Sequence, residues 1–93
     1  MIVRSLSDSK PFVTKDGSTI RSLLDCANAP VRNQSLAEAR IAPGAATEPH
    51  LHRRSEEFYF VLEGEGLMRV GEDERLVQAG DAILIPPNSP HCL

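Results

Sequence analysis

The chain has 93 residues with a formal charge of −3, carries three Phe, one Tyr and no Trp, and is 41% hydrophobic. One domain of this length buries only roughly 60–65% of its unfolded surface, enough for one small core and too little for two. The acidic balance and the scattered basic residues, of which only Arg53 and Arg54 are adjacent, argue against nucleic acid or an anionic membrane as the main partner. No run approaches the roughly 20 apolar residues of a membrane span. The opening Met1-Ile2-Val3-Arg4 has no long apolar signal region, so a cytoplasmic location is expected. Cys26 and Cys92 do not form a disulfide framework and read as two free thiols of a reducing compartment. Asn33-Gln34-Ser35 fits a glycosylation acceptor by chance composition.

Residues 1–33 read as N-terminal strands and turns that pack on the body of one domain, and residues 34–93 as that body. Asp16-Gly17 marks a turn, and Ser22 to Cys26 is short enough to be a single helical turn. Ser35 to Ile41 alternates in polarity and is stopped by Pro43-Gly44, which predicts a strand in spite of its helix-favouring Ala, Leu and Glu. His50-Leu51-His52 follows, and Arg53-Arg54-Ser55-Glu56 then reads as a polar connection leading back into a hairpin. From Glu57, the run Phe58-Tyr59-Phe60-Val61-Leu62 is rich in aromatic and branched residues and closes at Gly64. That is a strand. Leu67 to Val70, Arg75 to Gln78 and Ala82 to Ile85 are further strands, separated by Gly71-Glu72-Asp73-Glu74 and Ala79-Gly80-Asp81. Pro86-Pro87 ends the last by removing two backbone donors. Strands at this spacing predict an all-β sandwich or barrel. Gly64-Glu65-Gly66 lacks the third glycine and the following helix of a nucleotide loop, so it is a tight turn.

The chain's three histidines are His50, His52 and His91. On a strand, positions i and i+2 share a face, so the first two imidazoles point together and Leu51 points away. Glu57 opens the next strand with the same parity as Tyr59 and Val61, which favours it over Glu56 as an inward carboxylate. His91 follows the Pro86 to Pro90 turn. Imidazoles with one carboxylate suit iron, manganese, zinc, nickel or copper, and do not suit magnesium or calcium. Cys92 should face away from His91 by parity, Tyr59 is a candidate wall of a pocket, and Glu48 could face inward or outward.

These residues resemble the cupin superfamily. Gly44, His50, His52, Glu57 and Gly64 match its first motif: glycine, five residues, His-x-His, four residues, Glu, six residues, glycine. Gly80, Pro86 and His91 match the second, so eight fixed positions agree in type and order. The resemblance implies a double-stranded β-helix, or jelly-roll barrel, holding one divalent transition metal ion through His50, His52, Glu57 and His91. It also implies a homodimer and a small-molecule ligand. Asn88 stands where the second motif usually has glycine, and Asn tolerates positive φ better than most residues. The motif normally continues past its histidine, whereas Cys92-Leu93 end this sequence. The barrel is therefore expected to be incomplete at its C-terminal end, as a shortened form or one closed by strands of a partner chain.

Three functions fit this reading. The first is a metal-dependent enzyme acting on a small polar molecule, of isomerase or dioxygenase type. The second is a binding or sensing module for a sugar or organic acid. The third is a zinc hydratase, in which Glu57 would sit behind the ligands. Both lysines, Lys10 and Lys15, lie in the N-terminal segment, away from the motif residues. A cupin-like fold by itself does not choose among these.

Overall fold

A computed structural model describes all residues, Met1–Leu93. It contains eight strands and one turn of 3-10 helix at Leu6–Asp8, with no α-helix, as the period-two pattern predicts. The chain divides into two compact units, Met1–Ala45 and Ala46–Leu93.

The first unit is an antiparallel sheet in the order β1 (Phe12–Val13), β2 (Thr19–Leu24), β3 (Leu36–Arg40). The turn at Asp16-Gly17 joins β1 to β2. Its geometry comes from Asp16, whose carboxylate accepts hydrogen bonds from the Ser18 backbone N–H at 2.9 Å and the Ser18 hydroxyl at 2.6 Å. Gly17 supplies the positive φ of 92°. The expected helical turn at Ser22 to Cys26 is not formed. Ser22 pairs with Ala37 and Leu24 with Leu36, so the ladder to β3 holds this segment extended to Leu24. Ladder hydrogen bonds outweigh a local preference of a few tenths of a kcal/mol per residue. The chain then leaves through an Asx-type turn, in which the Ala27 N–H donates to the Asp25 carboxylate at 2.8 Å and the Asp25 N–H donates to the Asn28 side chain at 2.9 Å.

The second unit holds β4 (Glu57–Phe60), β5 (Glu65–Val70), β6 (Asp73–Gln78), β7 (Ala82–Ile85) and β8 (His91–Cys92). They form two sheets, β4-β7 and β6-β5-β8. Alternation decides which side chains go inside. On β4, Glu57 and Tyr59 are half-buried while Phe58 and Phe60 are exposed. On β5 and β6, Met68 and Val77 are buried while their ladder neighbours Leu67 and Leu76 are exposed. The core is Met68, Val77 and Ile85, flanked by Tyr59, Val61, Val70, Ile83 and Leu93. It draws on both sheets, so their inner faces pack on each other.

The chain end is tied into this core. Arg69 and Val70 of β5 pair with Cys92 and His91 of β8, and the Leu93 N–H donates to the Thr47 hydroxyl at 2.9 Å. Gly66 leaves room for the Leu93 side chain, because a Cβ there would lie 3.1 Å from Leu93 Cδ1. The hairpin expected from His50 to Glu57 does not form. Residues 51–56 contain no strand, β4 pairs with β7, and His50 instead makes an antiparallel bridge to His91. Proline at position 49 has no N–H to contribute to a ladder, and the polar residues 53–56 gain more from water than from pairing.

Candidate metal site

His91 is the pivot. It pairs with Val70 on one side, and on the other it exchanges two backbone hydrogen bonds with His50, the His50 N–H donating at 3.1 Å and the His91 N–H at 2.8 Å. Two residues along, the Asn88 N–H donates to the His52 carbonyl at 2.6 Å. Asn88 adopts a φ of 61°, the left-handed conformation its place in the motif requires. The two motifs, some forty residues apart in sequence, are thereby laced backbone to backbone.

The result is a cluster of imidazoles. Ring centroids lie 4.2 Å apart for His50 and His91, 5.4 Å for His50 and His52, and 5.7 Å for His52 and His91. One nitrogen from each ring falls within 4.8 Å of the others. Metal–nitrogen bonds of about 2.0–2.1 Å put tetrahedral donors roughly 3.4 Å apart, so the rings would draw together by up to about 1.4 Å around one ion.

The hydrogen bonds also set which nitrogen is available. Nδ1 of His50 lies 3.1 Å from the Glu48 carbonyl and Nδ1 of His91 lies 3.0 Å from the Ser89 carbonyl. A carbonyl can only accept, so each Nδ1 donates to it, and the Nε2 of His91 is left without a partner in the chain. Metal-binding histidines are commonly oriented in this way. His91 is fully buried and its Nε2 has no hydrogen-bond partner in the chain. A buried polar atom left unpaired costs about 1–3 kcal/mol, and a bound cation removes that cost.

Glu57 places Oε2 3.1 Å from His52 Nε2, with both side chains partly exposed. The Tyr59 ring stands edge-on to His91 with centroids 6.0 Å apart. The remaining candidates separate cleanly. Glu56 and Glu48 are exposed, Glu48 contributing its backbone carbonyl to His50 and not its carboxylate. Leu51 is 41% exposed, as its parity requires. Cys92 is a free, half-buried thiol outside the donor cluster, and Cys26 is free and exposed. Sequence reasoning did not single out Ser89 or Thr47. Their contributions are a backbone carbonyl and a clamp on the chain end, for which residue identity carries little signal.

Comparison with known proteins agrees with this geometry. The cupin domain family (Cupin_2) matches residues 37–93. The chain belongs to the cupin family, and its fold is the double-stranded β-helix of that family. A crystal structure of a predicted oxalate decarboxylase from Thermotoga maritima superposes with a TM-score of 0.83 at 22% identity, over 99% of this chain and 84% of that one. A Cupin 2 conserved barrel domain protein from Salinispora arenicola superposes at 0.75, also at 22% identity, over 99% and 75%. Among curated proteins, the uncharacterized protein MJ1618 of Methanocaldococcus jannaschii is 49% identical over 82 residues, which is 88% of this chain and 66% of that protein. Dimethylsulfoniopropionate lyase DddW of Ruegeria pomeroyi is 34% identical over 71 residues, 76% of this chain and 46% of the lyase. The chain thus spans between about half and two thirds of the curated relatives it matches. No helix is long and apolar enough to cross a membrane.

Proposed function

We propose that this cupin holds one divalent transition metal ion on His50, His52 and His91 with Glu57 as fourth ligand, and acts as a metal-dependent enzyme on a small polar molecule. The observation that carries the reading is the buried, unpartnered Nε2 of His91 beside two further imidazoles. Nitrogen donors of this number with one carboxylate suit iron, manganese, zinc, nickel or copper. Bound there, such an ion supplies Lewis acidity toward a molecule occupying its remaining positions.

The chain's own residues have defined parts in this reading. The carbonyls of Glu48 and Ser89 fix the rings of His50 and His91. Glu57 offers a carboxylate whose charge offsets that of the ion. Tyr59 forms the wall next to His91 and presents a phenolic O–H, a group that can hold or move a proton. The relative named as a dimethylsulfoniopropionate lyase supports a small organic substrate, with isomerase, dioxygenase or lyase chemistry as the classes to assay. In a zinc hydratase, Glu57, 3.1 Å from His52 Nε2 and outside the three-histidine group, would instead sit behind the ligands.

Homodimer formation belongs to the same proposal. Phe58, Phe60 and Leu84 are 79%, 61% and 54% exposed on the outer side of β4 and β7, an apolar face that a second copy would cover. Light scattering on Phe58→Ser with Phe60→Ser tests it, since a species that remains dimeric would place the interface elsewhere.

The metal reading is tested by calorimetric titration of chelator-treated protein with manganese, iron(II), cobalt(II), nickel and zinc. One equivalent binding to the wild type and none to His50→Ala/His52→Ala is the expected result. Equal binding to both proteins would end the reading.

A further inference from the structure

Two of the three histidines follow a proline, in Glu48-Pro49-His50 and Ser89-Pro90-His91, whereas His52 follows Leu51. The pattern coincides with one hydrogen-bond geometry. In both tripeptides the ring Nδ1 donates to the carbonyl two residues back, across the proline, at 3.1 Å for His50 and 3.0 Å for His91. The His52 ring meets the Glu57 carboxylate instead, with Nε2 3.1 Å from Oε2. Proline thus accompanies the carbonyl-held rings and is missing before the third.

Neither proline is there to fill the core, since both are exposed. What each fixes is the backbone. The carbonyl and the ring it holds are separated by φ and ψ of the proline and φ of the histidine. The pyrrolidine ring locks the first of these at about −65°. The bridge between the two segments holds the last, because the N–H of His50 and the N–H of His91 each donate to the other residue's carbonyl. Those backbone donors are therefore spent, and the ring Nδ1 is the group that answers the Glu48 and Ser89 carbonyls. At Pro90 the middle torsion is held as well, since its carbonyl accepts the Gly71 N–H at 2.7 Å. In a neutral imidazole one nitrogen donates and the other accepts. Holding the hydrogen at Nδ1 selects the tautomer whose acceptor is Nε2, the atom that His91 buries without a partner.

We propose that Pro49 and Pro90 are positioning residues of the metal site. Each presents the carbonyl before it to the ring after it, and so presets the tautomer and direction of His50 and His91 in the metal-free protein. The inference rests on the metal reading given above. His52, with no proline before it, is left to Glu57.

The test is the imidazole nitrogen spectrum of the isotope-labelled full chain, metal-free and in alkaline buffer, where long-range couplings to the ring protons tell Nδ1–H from Nε2–H. Wild type is expected to show the Nδ1–H form at His50 and His91. Pro49→Ala should turn His50 into a mixture of tautomers and leave His91 unchanged, and Pro90→Ala should do the reverse. Pro49→Gly and Pro90→Gly, with freer backbones still, should go further in the same direction. In calorimetric titration with zinc, each alanine variant should bind about two- to fivefold more weakly, the factor that restricting one backbone residue is worth, and the double variant by roughly the product. Because both prolines are exposed, each single variant should keep the wild-type amide spectrum, and if one fails to fold the other decides. Folded variants whose rings keep the Nδ1–H form would overturn the proposal. So would a changed tautomer with unchanged zinc affinity. Wild type that shows the preset rings yet takes up no zinc would overturn the metal reading beneath it, so the two failures are told apart.

Discussion

Replacing His91 by leucine separates a metal ligand from an ordinary core residue. Substituting a fully buried, well-partnered side chain usually costs several kcal/mol. His91 differs, because its Nε2 is buried without a partner while its Nδ1 donates to the Ser89 carbonyl. Leucine loses the second interaction, at about 0.5–1.5 kcal/mol, and relieves the first, worth about 1–3 kcal/mol. The side chains are similar in volume, so repacking adds less than about 1.5 kcal/mol. The sum leaves metal-free His91→Leu within about 1–2 kcal/mol of the metal-free wild type. Metal changes the comparison. A ligand present at a hundred times its Kd stabilises the form it binds by about 2.7 kcal/mol. In a chain of 93 residues that raises Tm by roughly 11–22 °C. Calorimetric melting with and without added zinc, each against a chelator control, is expected to show this rise in wild type and its loss in the variant. A metal-free variant destabilised by more than about 3 kcal/mol would refute the reasoning, as would a variant that keeps the metal-induced rise.

Glu57→Gln keeps the side-chain length and removes the charge, so metal affinity measured by calorimetry is expected to fall about tenfold while the metal-free melting temperature holds, because the contact with His52 is partly exposed. Asn88→Gly should be tolerated, whereas Asn88→Val should cost about 1–2 kcal/mol in urea unfolding, because its φ of 61° disfavours a β-branched residue. Loss of metal affinity in Asn88→Val should accompany that cost, since the Asn88 N–H holds the His52 carbonyl. Asp25 is held below the ordinary carboxylate value of 3.8 by the Ser22 hydroxyl and then by the Ala27 N–H. A depressed carboxylate contributes stability above its unfolded value and loses it as pH falls through the folded one. Asp25→Asn should therefore lie below wild type in urea midpoint at pH 7, with the gap closing below about pH 3.8; a gap that stays constant with pH would show that charge has no part in that turn.

Much of the site could be read before the fold was known, and the reason is periodicity. The alternation from Glu57 to Val61 put Glu57, Tyr59 and Val61 on one face, and the burial of β4 follows it. The spacing of His50, His52 and His91 pointed to one cluster, and the structure brings the rings together. Pairing was harder to read. The connection 53–56 looked like a hairpin because its polarity matched a turn, yet what holds His50 is a bridge to a residue 41 positions later, and local composition carries no mark of such a bridge. Ser22 to Cys26 differs for a related reason, since the ladder to β3 is decided by distant residues.

The central claim, that His50, His52 and His91 hold a metal, is tested most directly by mass spectrometric metal content per chain, on protein prepared without chelator or affinity tag. Near one equivalent of a single transition metal in the wild type, and almost none in His50→Ala/His52→Ala, is the result this account expects. Folded wild-type protein that carries no metal, and takes up none when iron, manganese, nickel, copper and zinc are supplied, would contradict it.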